Sequence, residues 1–243
     1  MSTVRLVLWD IDHTLIATGG VGGEVFRAAF EEVTGGPMTR MAEVTGRTER
    51  VIFRETLELH GLEDPGDHFD RFAEAQARGY LERAEDMRRR GRALPGAPQA
   101  LTALAGRGDI VQSVLTGNPR PSAVAKLQIF DLHRHIDFDS GAYGGDEEVR
   151  AKLVPIARAR AKERHHLDFG VETTILIGDT PSDIQAALDG GALVIGVATG
   201  KSSPGELAEA GARHVLSDLS DTAALVRAVV TIEHPNDQTR NPV

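Results

Sequence analysis

The strongest constraint on the fold is a set of four short apolar runs in which polar and apolar residues do not alternate. They are rich in valine, isoleucine and leucine and lie at Val4–Trp9, Ile110–Leu115, Thr174–Ile177 and Leu193–Val197. Such runs are typical of strands buried on both faces of a parallel sheet. Helical patterns alternate with them, at Ala97–Ala105, Pro121–Gln128, Lys152–Arg164 and Ser182–Leu188. This alternation predicts a doubly wound α/β core.

The segment between the first two runs has a different pattern. It contains helical patterns at Glu24–Glu32, Glu49–His60 and Phe69–Arg90, and it is too long for a simple crossover between strands. Turn-forming residues at Thr18–Gly23 and Leu94–Gly96 are expected to act as hinges. We therefore predict a helical subdomain over residues 18–92, a core formed by residues 1–17 and 93–232, and a loose tail over 233–243.

Composition excludes several classes of function. A formal net charge of −9 argues against a nucleic-acid partner, because phosphate backbones are bound by clustered lysine and arginine. The chain has no cysteine, which excludes thiolate catalysis and cysteine-based metal sites. No segment approaches the roughly 20 apolar residues of a membrane helix, and the first residues do not form a signal-peptide pattern. We expect a cytoplasmic protein with no membrane partner.

Acidic and hydroxyl side chains follow three of the predicted strands. Asp10 and Asp12 follow the first, Thr116–Asn118 the second, and Asp179 and Asp183 the third. Ligands of open α/β sheets bind outside the carboxyl ends of the strands, so these residues are expected to share one crevice. An isolated aspartate at a strand end more often caps a helix or forms a turn. Two carboxylates placed two residues apart repel each other unless a cation or proton separates them, which favours a functional site.

These strand-end motifs resemble those of the haloacid dehalogenase superfamily, specifically its phosphatases that use an aspartate nucleophile. Asp10-Ile11-Asp12-His13-Thr14 is similar to the first motif, Leu115–Asn118 to the second and Gly178–Asp183 to the fourth. The helical block stands where phosphoglycolate-phosphatase-like members have their C1 cap. The resemblance implies a Rossmann-like core with an inserted all-helical C1 cap.

The resemblance also implies the chemistry of the acidic residues. Asp10 would attack phosphorus to give an aspartyl phosphate, and Asp12 would act first as general acid and then as general base. Mg²⁺ would be held by Asp10, Asp179 and the backbone carbonyl of Asp12, an oxygen-rich site that suits this hard cation. Asp183 would bind a metal-bound water or orient the other ligands.

Two further roles follow from the resemblance. Thr116 and the amides of Gly117 and Asn118 would hold the phosphoryl oxygens at a helix N-terminus. The third motif supplies a cation near the phosphoryl group, and here the sequence offers two. Lys152 has the usual residue type, whereas Arg150 lies closer to where the motif should precede its helix. Either could neutralise the site, and the other would be a solvated surface charge.

Two more residues are candidates for substrate contact. His13 stands where many relatives have glycine, so it either lines the entrance of the site or packs under the cap. Arg47, in the loop Thr45-Gly46-Arg47-Thr48, either meets an anionic substrate from above or serves the loop before a helix.

The function that these observations predict is Mg²⁺-dependent hydrolysis of a phosphate monoester of a small metabolite. One alternative is a phosphomutase of the β-phosphoglucomutase type, which shares the Asp10 and Asp12 pair but returns the phosphoryl group to a sugar. Another is a non-catalytic binding module on the same fold. Carbon–halogen cleavage is disfavoured because it does not require the acid that Asp12 supplies.

Overall fold

The fold is described by a computed structural model of residues 3–64 and 66–233; of the predicted tail, residues 234–243 lie outside these residues. The described strands are β1 (Arg5–Trp9), β2 (Ile16–Ala17), β3 (Arg92–Ala93), β4 (Ile110–Thr116), β5 (Ala142–Tyr143), β6 (Thr174–Gly178), β7 (Leu193–Val197) and β8 (His214–Leu216). The described α-helices are α1 (Val21–Thr34), α2 (Glu49–Leu59), α3 (His68–Glu82), α4 (Ala84–Arg90), α5 (Ala97–Ala105), α6 (Arg120–Ile129), α7 (Leu153–His165), α8 (Pro181–Gly190), α9 (Pro204–Glu209) and α10 (Thr222–Thr231). None of these helices has the length and hydrophobicity needed to cross a membrane.

The main sheet of the described chain is parallel and has the strand order β5-β4-β1-β6-β7-β8. β1 lies at its centre and pairs with β4 and β6. Val7 and Trp9 point into one buried apolar cluster, and Leu6 and Leu8 point into another on the opposite face. A strand that is apolar on both faces requires helices on both sides of the sheet. The predicted doubly wound α/β core is therefore confirmed.

The apolar runs do not indicate the short strands. β5 and β8 extend the two edges of the sheet with two and three residues. β2 and β3 form an antiparallel pair in which Ile16 lies beside Ala93. Strands of this length contain too few residues to show a periodicity.

Helices α1–α4 lie between β2 and β3 in the chain, so the antiparallel pair joins the two ends of the helical block. The block has an apolar cluster of its own, in which the rings of Phe53 and Phe72 stack with centroids 4.5 Å apart. It also packs against the core through α3 and α6, where Ser122 Oγ donates to Gln76 Oε1 over 2.5 Å. This arrangement agrees with an inserted subdomain, and its limits at residues 18 and 92 stay a prediction.

Two expectations about the block are wrong in detail. The helix expected over Phe69–Arg90 is broken into α3 and α4 at Arg83, whose φ of −102° and ψ of 20° are not helical. The glycine-rich hinge is shorter than expected, because Gly22 and Gly23 lie in the first turn of α1. Gly19 does need to be glycine, since its φ is +61° and a Cβ there would lie 2.3 Å from the Arg90 carbonyl oxygen.

Candidate active site

The carboxyl ends of three neighbouring strands bring most of the predicted site residues together. Asp10 follows β1, Thr116 ends β4 and Asp179 follows β6. These strands are adjacent in the order β4-β1-β6, so their ends share one edge of the sheet. Asp183 joins them from the first turn of α8, where Thr180 and Asp183 form a capping box. Asp183 therefore faces the site and also caps a helix.

Three buried carboxylates form the centre of the site. Asp10, Asp179 and Asp183 each offer an oxygen atom, and these atoms lie within 4.8 Å of one another. Burial raises the pKa of Asp10 well above its usual range, and the neighbouring Asp183 carboxylate adds to the rise. Burial and the same Asp183 charge raise the pKa of Asp179 to about 7. A cation would relieve this repulsion, and a site made only of oxygen donors fits a hard divalent ion.

Arg150 and Lys152, the two candidates for the cation of the third motif, have different surroundings. The Arg150 guanidinium donates to Asp10 Oδ1 over 2.7 Å and lies 2.5 Å from an oxygen of Asp183. Its side chain is only 11% exposed. The Lys152 side chain is 63% exposed and pairs with Glu147 at 3.5 Å. Residues 150–152 form one 3₁₀ turn before α7, in which these two side chains take different directions. The structure therefore brings Arg150, and not Lys152, into the site.

Asp12 belongs to a separate polar network beside the three carboxylates. Its Oδ2 accepts hydrogen bonds from Lys126 Nζ (2.7 Å) and Asn118 Nδ2 (2.8 Å). Lys126 Nζ also donates to Asn118 Oδ1 over 2.5 Å. Burial alone would raise the pKa of Asp12, but the Lys126 ammonium and these hydrogen bonds lower it below its usual range. The first-motif carboxylates thus have opposite electrostatic environments.

Lys126 is a site residue that the sequence analysis missed. It lies in α6, and its side chain is only 4% exposed. A single lysine in a helix normally lies on the protein surface, with its ammonium group in water. One signal could have identified it: Ser122 and Lys126 are polar residues spaced i, i+4, on one face of a helix that begins just after the second motif.

The loop after β4 is held from both sides. Thr116 Oγ1 accepts from Asn118 Nδ2 over 2.7 Å. The Gly117 carbonyl accepts from the backbone N–H of Glu49, at the start of α2, over 2.8 Å. A Cβ at Gly117 would lie 2.5 Å from the carbonyl oxygen of Arg47, so a larger residue would displace the helical block. The Asn118 side chain is committed to the network around Asp12.

His13 and Arg47 both line the cavity above the carboxylates, with different surroundings. His13 has a left-handed backbone, with φ at +66°, and its carbonyl accepts from Thr199 Oγ1 over 2.6 Å. The Arg47 guanidinium pairs with both carboxylate oxygens of Glu55, one at 2.7 Å. Arg47 is therefore near the site, but its charge is already neutralised by a residue of α2.

The cavity itself has a volume of about 370 Å³ and lies between the core and the helical block. Its core side contains the aspartates, Arg150 and Lys126. The helical block contributes mainly apolar side chains, namely Phe26, Met41, Val44, Ile52 and Tyr80. A cavity of this size and position suits a small anionic ligand whose non-ionic part faces the block.

Comparisons with known proteins agree with this geometry. A family model described as haloacid dehalogenase-like hydrolase matches residues 7–188. The Cupriavidus necator protein named phosphoglycolate phosphatase, plasmid, is 28% identical over 235 residues, which cover 93% of this chain and 96% of the relative.

Solved structures show the same fold at low sequence identity. A hydrolase from Pseudomonas syringae has a TM-score of 0.64 and 20% identity, with 93% of this chain and 99% of that chain covered. A candidate β-phosphoglucomutase from Bacteroides vulgatus has a TM-score of 0.61 and 16% identity, with coverages of 94% and 89%. The family match extends from β1 to α8 and so includes every strand-end motif. The chain belongs to the haloacid dehalogenase-like hydrolase family, as an enzyme of its phosphatase type.

Proposed function

We propose that this enzyme hydrolyses the phosphate monoester of a small metabolite, depends on Mg²⁺ and forms an aspartyl phosphate on Asp10. The observation that carries the proposal is that each first-motif carboxylate has its own cationic partner. Asp10 bonds to Arg150, and Asp12 bonds to Lys126. A carboxylate nucleophile and a phosphate monoester are both anionic, so their approach requires cations. The separate pairing lets the two carboxylates perform different tasks.

Asp10, Asp179 and the backbone carbonyl of Asp12 would hold the Mg²⁺. Asp183 would bind it through water or orient these ligands. The buried carboxylate oxygens within 4.8 Å of one another support this assignment, because Mg²⁺ prefers oxygen ligands. When bound, the ion neutralises negative charge on the phosphoryl oxygens.

The protein residues would then carry out two steps. Because Lys126 lowers the pKa of Asp12, this carboxylate first takes up a proton from solvent or from the ester monoanion. Asp10 then attacks phosphorus while the protonated Asp12 gives its proton to the leaving oxygen, which releases the alcohol. Asp12, now ionised and stabilised by Lys126, takes a proton from water as that water attacks the aspartyl phosphate. Phosphate leaves and Asp10 is regenerated. Arg150 orients Asp10 and offsets negative charge throughout.

Residues around this centre would bind and enclose the substrate. Thr116 and the amides of Gly117 and Asn118 would hold the phosphoryl oxygens, with Thr116 fully buried at the end of β4. The helical block, residues 18–92, would act as a cap that excludes stray water from the aspartyl phosphate. His13 and Arg47 would form part of the cavity wall that the leaving group meets.

The phosphomutase alternative differs in the fate of the phosphoryl group. A mutase returns it to a sugar phosphate, whereas a hydrolase transfers it to water. The likeness to the candidate β-phosphoglucomutase concerns the fold, which both activities share. Release of inorganic phosphate therefore separates the two functions.

The proposal is tested by phosphate release from p-nitrophenyl phosphate, assayed with Mg²⁺ and after its removal by chelation. We expect turnover with Mg²⁺ and a loss of at least about 100-fold without it. A panel of sugar phosphates, glycerol phosphates and phosphoglycolate would then identify the preferred ester. Turnover that is unaffected by chelation would refute the Mg²⁺ requirement, and failure to release phosphate from any ester would refute the hydrolase.

Mg²⁺ affinity is expected to decrease as the pH falls through 7. The pKa of Asp179 is about 7 in the metal-free protein, so below that pH the ion must displace a proton. We expect the apparent affinity to fall by about tenfold or more per pH unit between pH 7 and pH 5, because the pKa of Asp10, the other carboxylate ligand, is raised as well. Calorimetric titration with Mg²⁺ at several pH values would measure this dependence.

Asp179→Ala should abolish tight Mg²⁺ binding, whereas Asp189→Ala, an exposed change near the end of α8, should not. Equal affinities for wild type and Asp179→Ala would contradict the ligand assignment.

Arg150→Met and Lys152→Met form a matched pair for the third motif. Arg150→Met is expected to lower kcat about 100-fold, because it removes the cation bound to Asp10. Lys152→Met should change kcat by less than about twofold, since its ammonium is exposed and pairs only with Glu147. The reverse order of losses in the phosphate-release assay would assign the role to Lys152.

A further inference from the structure

The helical block presents an apolar surface to the cavity that the proposed mechanism does not use. This apolar wall consists of the side chains of Phe26, Met41, Val44, Ile52 and Tyr80. Phe26 and Ile52 belong to the apolar cluster of the block, in which the Phe26 ring packs edge-on against Phe72 with centroids 4.8 Å apart. Met41 and Val44, between α1 and α2, are 37% and 46% exposed. Apolar ligand carbon that covers them would be bound favourably, because both surfaces leave water.

The apolar wall begins beside the carboxylate that is expected to protonate the leaving oxygen. Lys126 Nζ lies 2.7 Å from Asp12 Oδ2 and 4.9 Å from the centre of the Tyr80 ring. The first backbone N–H of α2 bonds to the Gly117 carbonyl over 2.8 Å, and Ile52 lies one turn further along this helix. The wall is therefore held close to both Asp12 and the loop after β4. A leaving group whose oxygen lies at Asp12 must extend along it.

The charged side chains that line the cavity offer an ionic leaving group little. Arg47, Lys126 and Arg150 each donate to a carboxylate of the protein over 2.7 Å. Lys201, the fourth lysine or arginine among the described lining residues, is exposed, so a ligand competes with water for it. Glu49 accepts a hydrogen bond from the buried glutamine side chain of α3. A charged or hydroxyl-rich alcohol would thus lose its hydrogen bonds to water and find few replacements.

We propose that the apolar wall selects phosphate monoesters of an apolar alcohol, whose alkyl or aryl part packs against Met41, Val44 and Tyr80 while the phosphoryl group lies at Asp10. This inference rests on the proposed hydrolase function and narrows its substrate class. Each methylene group that the wall covers should raise kcat/KM about threefold, since its burial removes apolar surface from water.

The test on the wild type uses two pairs of esters, assayed for phosphate release with Mg²⁺. Ethanol and butanol have similar acidity, so the ratio of kcat/KM for butyl phosphate to that for ethyl phosphate reports contact with the added carbons. We expect a ratio of about ten. Glycerol 3-phosphate and 2-methylbutyl phosphate have the same shape, with hydroxyl groups in the first where the second has methyl groups. We expect kcat/KM for 2-methylbutyl phosphate to be higher by about tenfold or more.

A pair of double variants tests the wall itself. Met41→Gln/Val44→Thr nearly keeps the size of both side chains but makes them polar, and both positions are exposed, so the protein should fold. The butyl-to-ethyl ratio of kcat/KM should fall about threefold, because the fixed part of the wall remains. Leu62→Asn/Val230→Thr is the matched control, at side chains that are 39% and 38% exposed and do not line the cavity. It should keep the wild-type ratio.

The outcomes separate this inference from the function on which it rests. If the wild type releases phosphate from neither p-nitrophenyl phosphate nor any alkyl phosphate, the proposed function fails and the inference fails with it. If it releases phosphate but hydrolyses glycerol 3-phosphate as well as 2-methylbutyl phosphate, the assigned substrate class is overturned while the hydrolase stands. A wild-type butyl-to-ethyl ratio in Met41→Gln/Val44→Thr would likewise overturn the role of the wall.

Discussion

Asp10→Asn is expected to lower kcat for phosphate release by at least about 10³-fold while the protein remains folded. The amide is nearly isosteric with the carboxylate but cannot attack phosphorus. Asp10 Oδ1 accepts a 2.7 Å hydrogen bond from Arg150, and an asparagine oxygen can accept the same bond. The change also removes one of three mutually repelling carboxylates. Steady-state phosphate release and the melting temperature would be measured on the same preparations.

A matched control is available at the surface. Asp168 has a side chain that is 83% exposed and pairs with Lys162, so Asp168→Asn should leave both kcat and Tm unchanged. A folded Asp10→Asn protein that releases phosphate at close to the wild-type rate would contradict an aspartyl phosphate on this residue. Loss of activity together with loss of the folded state would instead show that Asp10 stabilises the structure.

The centre of the fold could be predicted because burial on both faces leaves a strong pattern. β1, β6 and β7 are almost continuous aliphatic runs, and their bounds differ from the prediction by one residue at most. The edge strands β5 and β8 have only two and three residues, which is too few to leave such a pattern in the sequence. The break at Arg83 has no proline or glycine at that position to indicate it.

The candidate site could be predicted where the residue type itself is unusual for its position. Paired aspartates at a strand end are unfavourable without a cation, so Asp10 and Asp12 were recognisable from sequence alone. Lys126 was not, because a lysine in a helix is ordinary and its i, i+4 spacing from Ser122 does not by itself show that its side chain is buried against Asp12. The choice between Arg150 and Lys152 likewise depends on the direction of a 3₁₀ turn, which spacing along the chain does not specify.

Asp12→Asn is expected to have its largest effect on esters with poor leaving groups. Both hydrogen bonds to this carboxylate fall on Oδ2, so Oδ1 is the oxygen that can face the leaving group. Lys126 stabilises the ionised form, which makes protonated Asp12 a strong acid toward a departing alkoxide. Asparagine keeps an oxygen for Lys126 but has no proton to transfer. We expect kcat/KM for an alkyl phosphate to fall about 10³-fold, and that for p-nitrophenyl phosphate about tenfold.

The measurement is the ratio of these two losses, determined with ethyl phosphate and p-nitrophenyl phosphate at the same Mg²⁺ concentration. p-Nitrophenolate leaves without a proton, so kcat/KM for its ester tests only the attack by Asp10. The alkoxide of ethanol is strongly basic, so its departure requires an acid. If the loss in kcat/KM is about 100 times larger for ethyl phosphate than for p-nitrophenyl phosphate, leaving-group protonation is assigned to Asp12. Equal losses in kcat/KM on the two esters would show that Asp12 acts mainly by positioning Lys126 and Asn118 or by supporting the metal ligands.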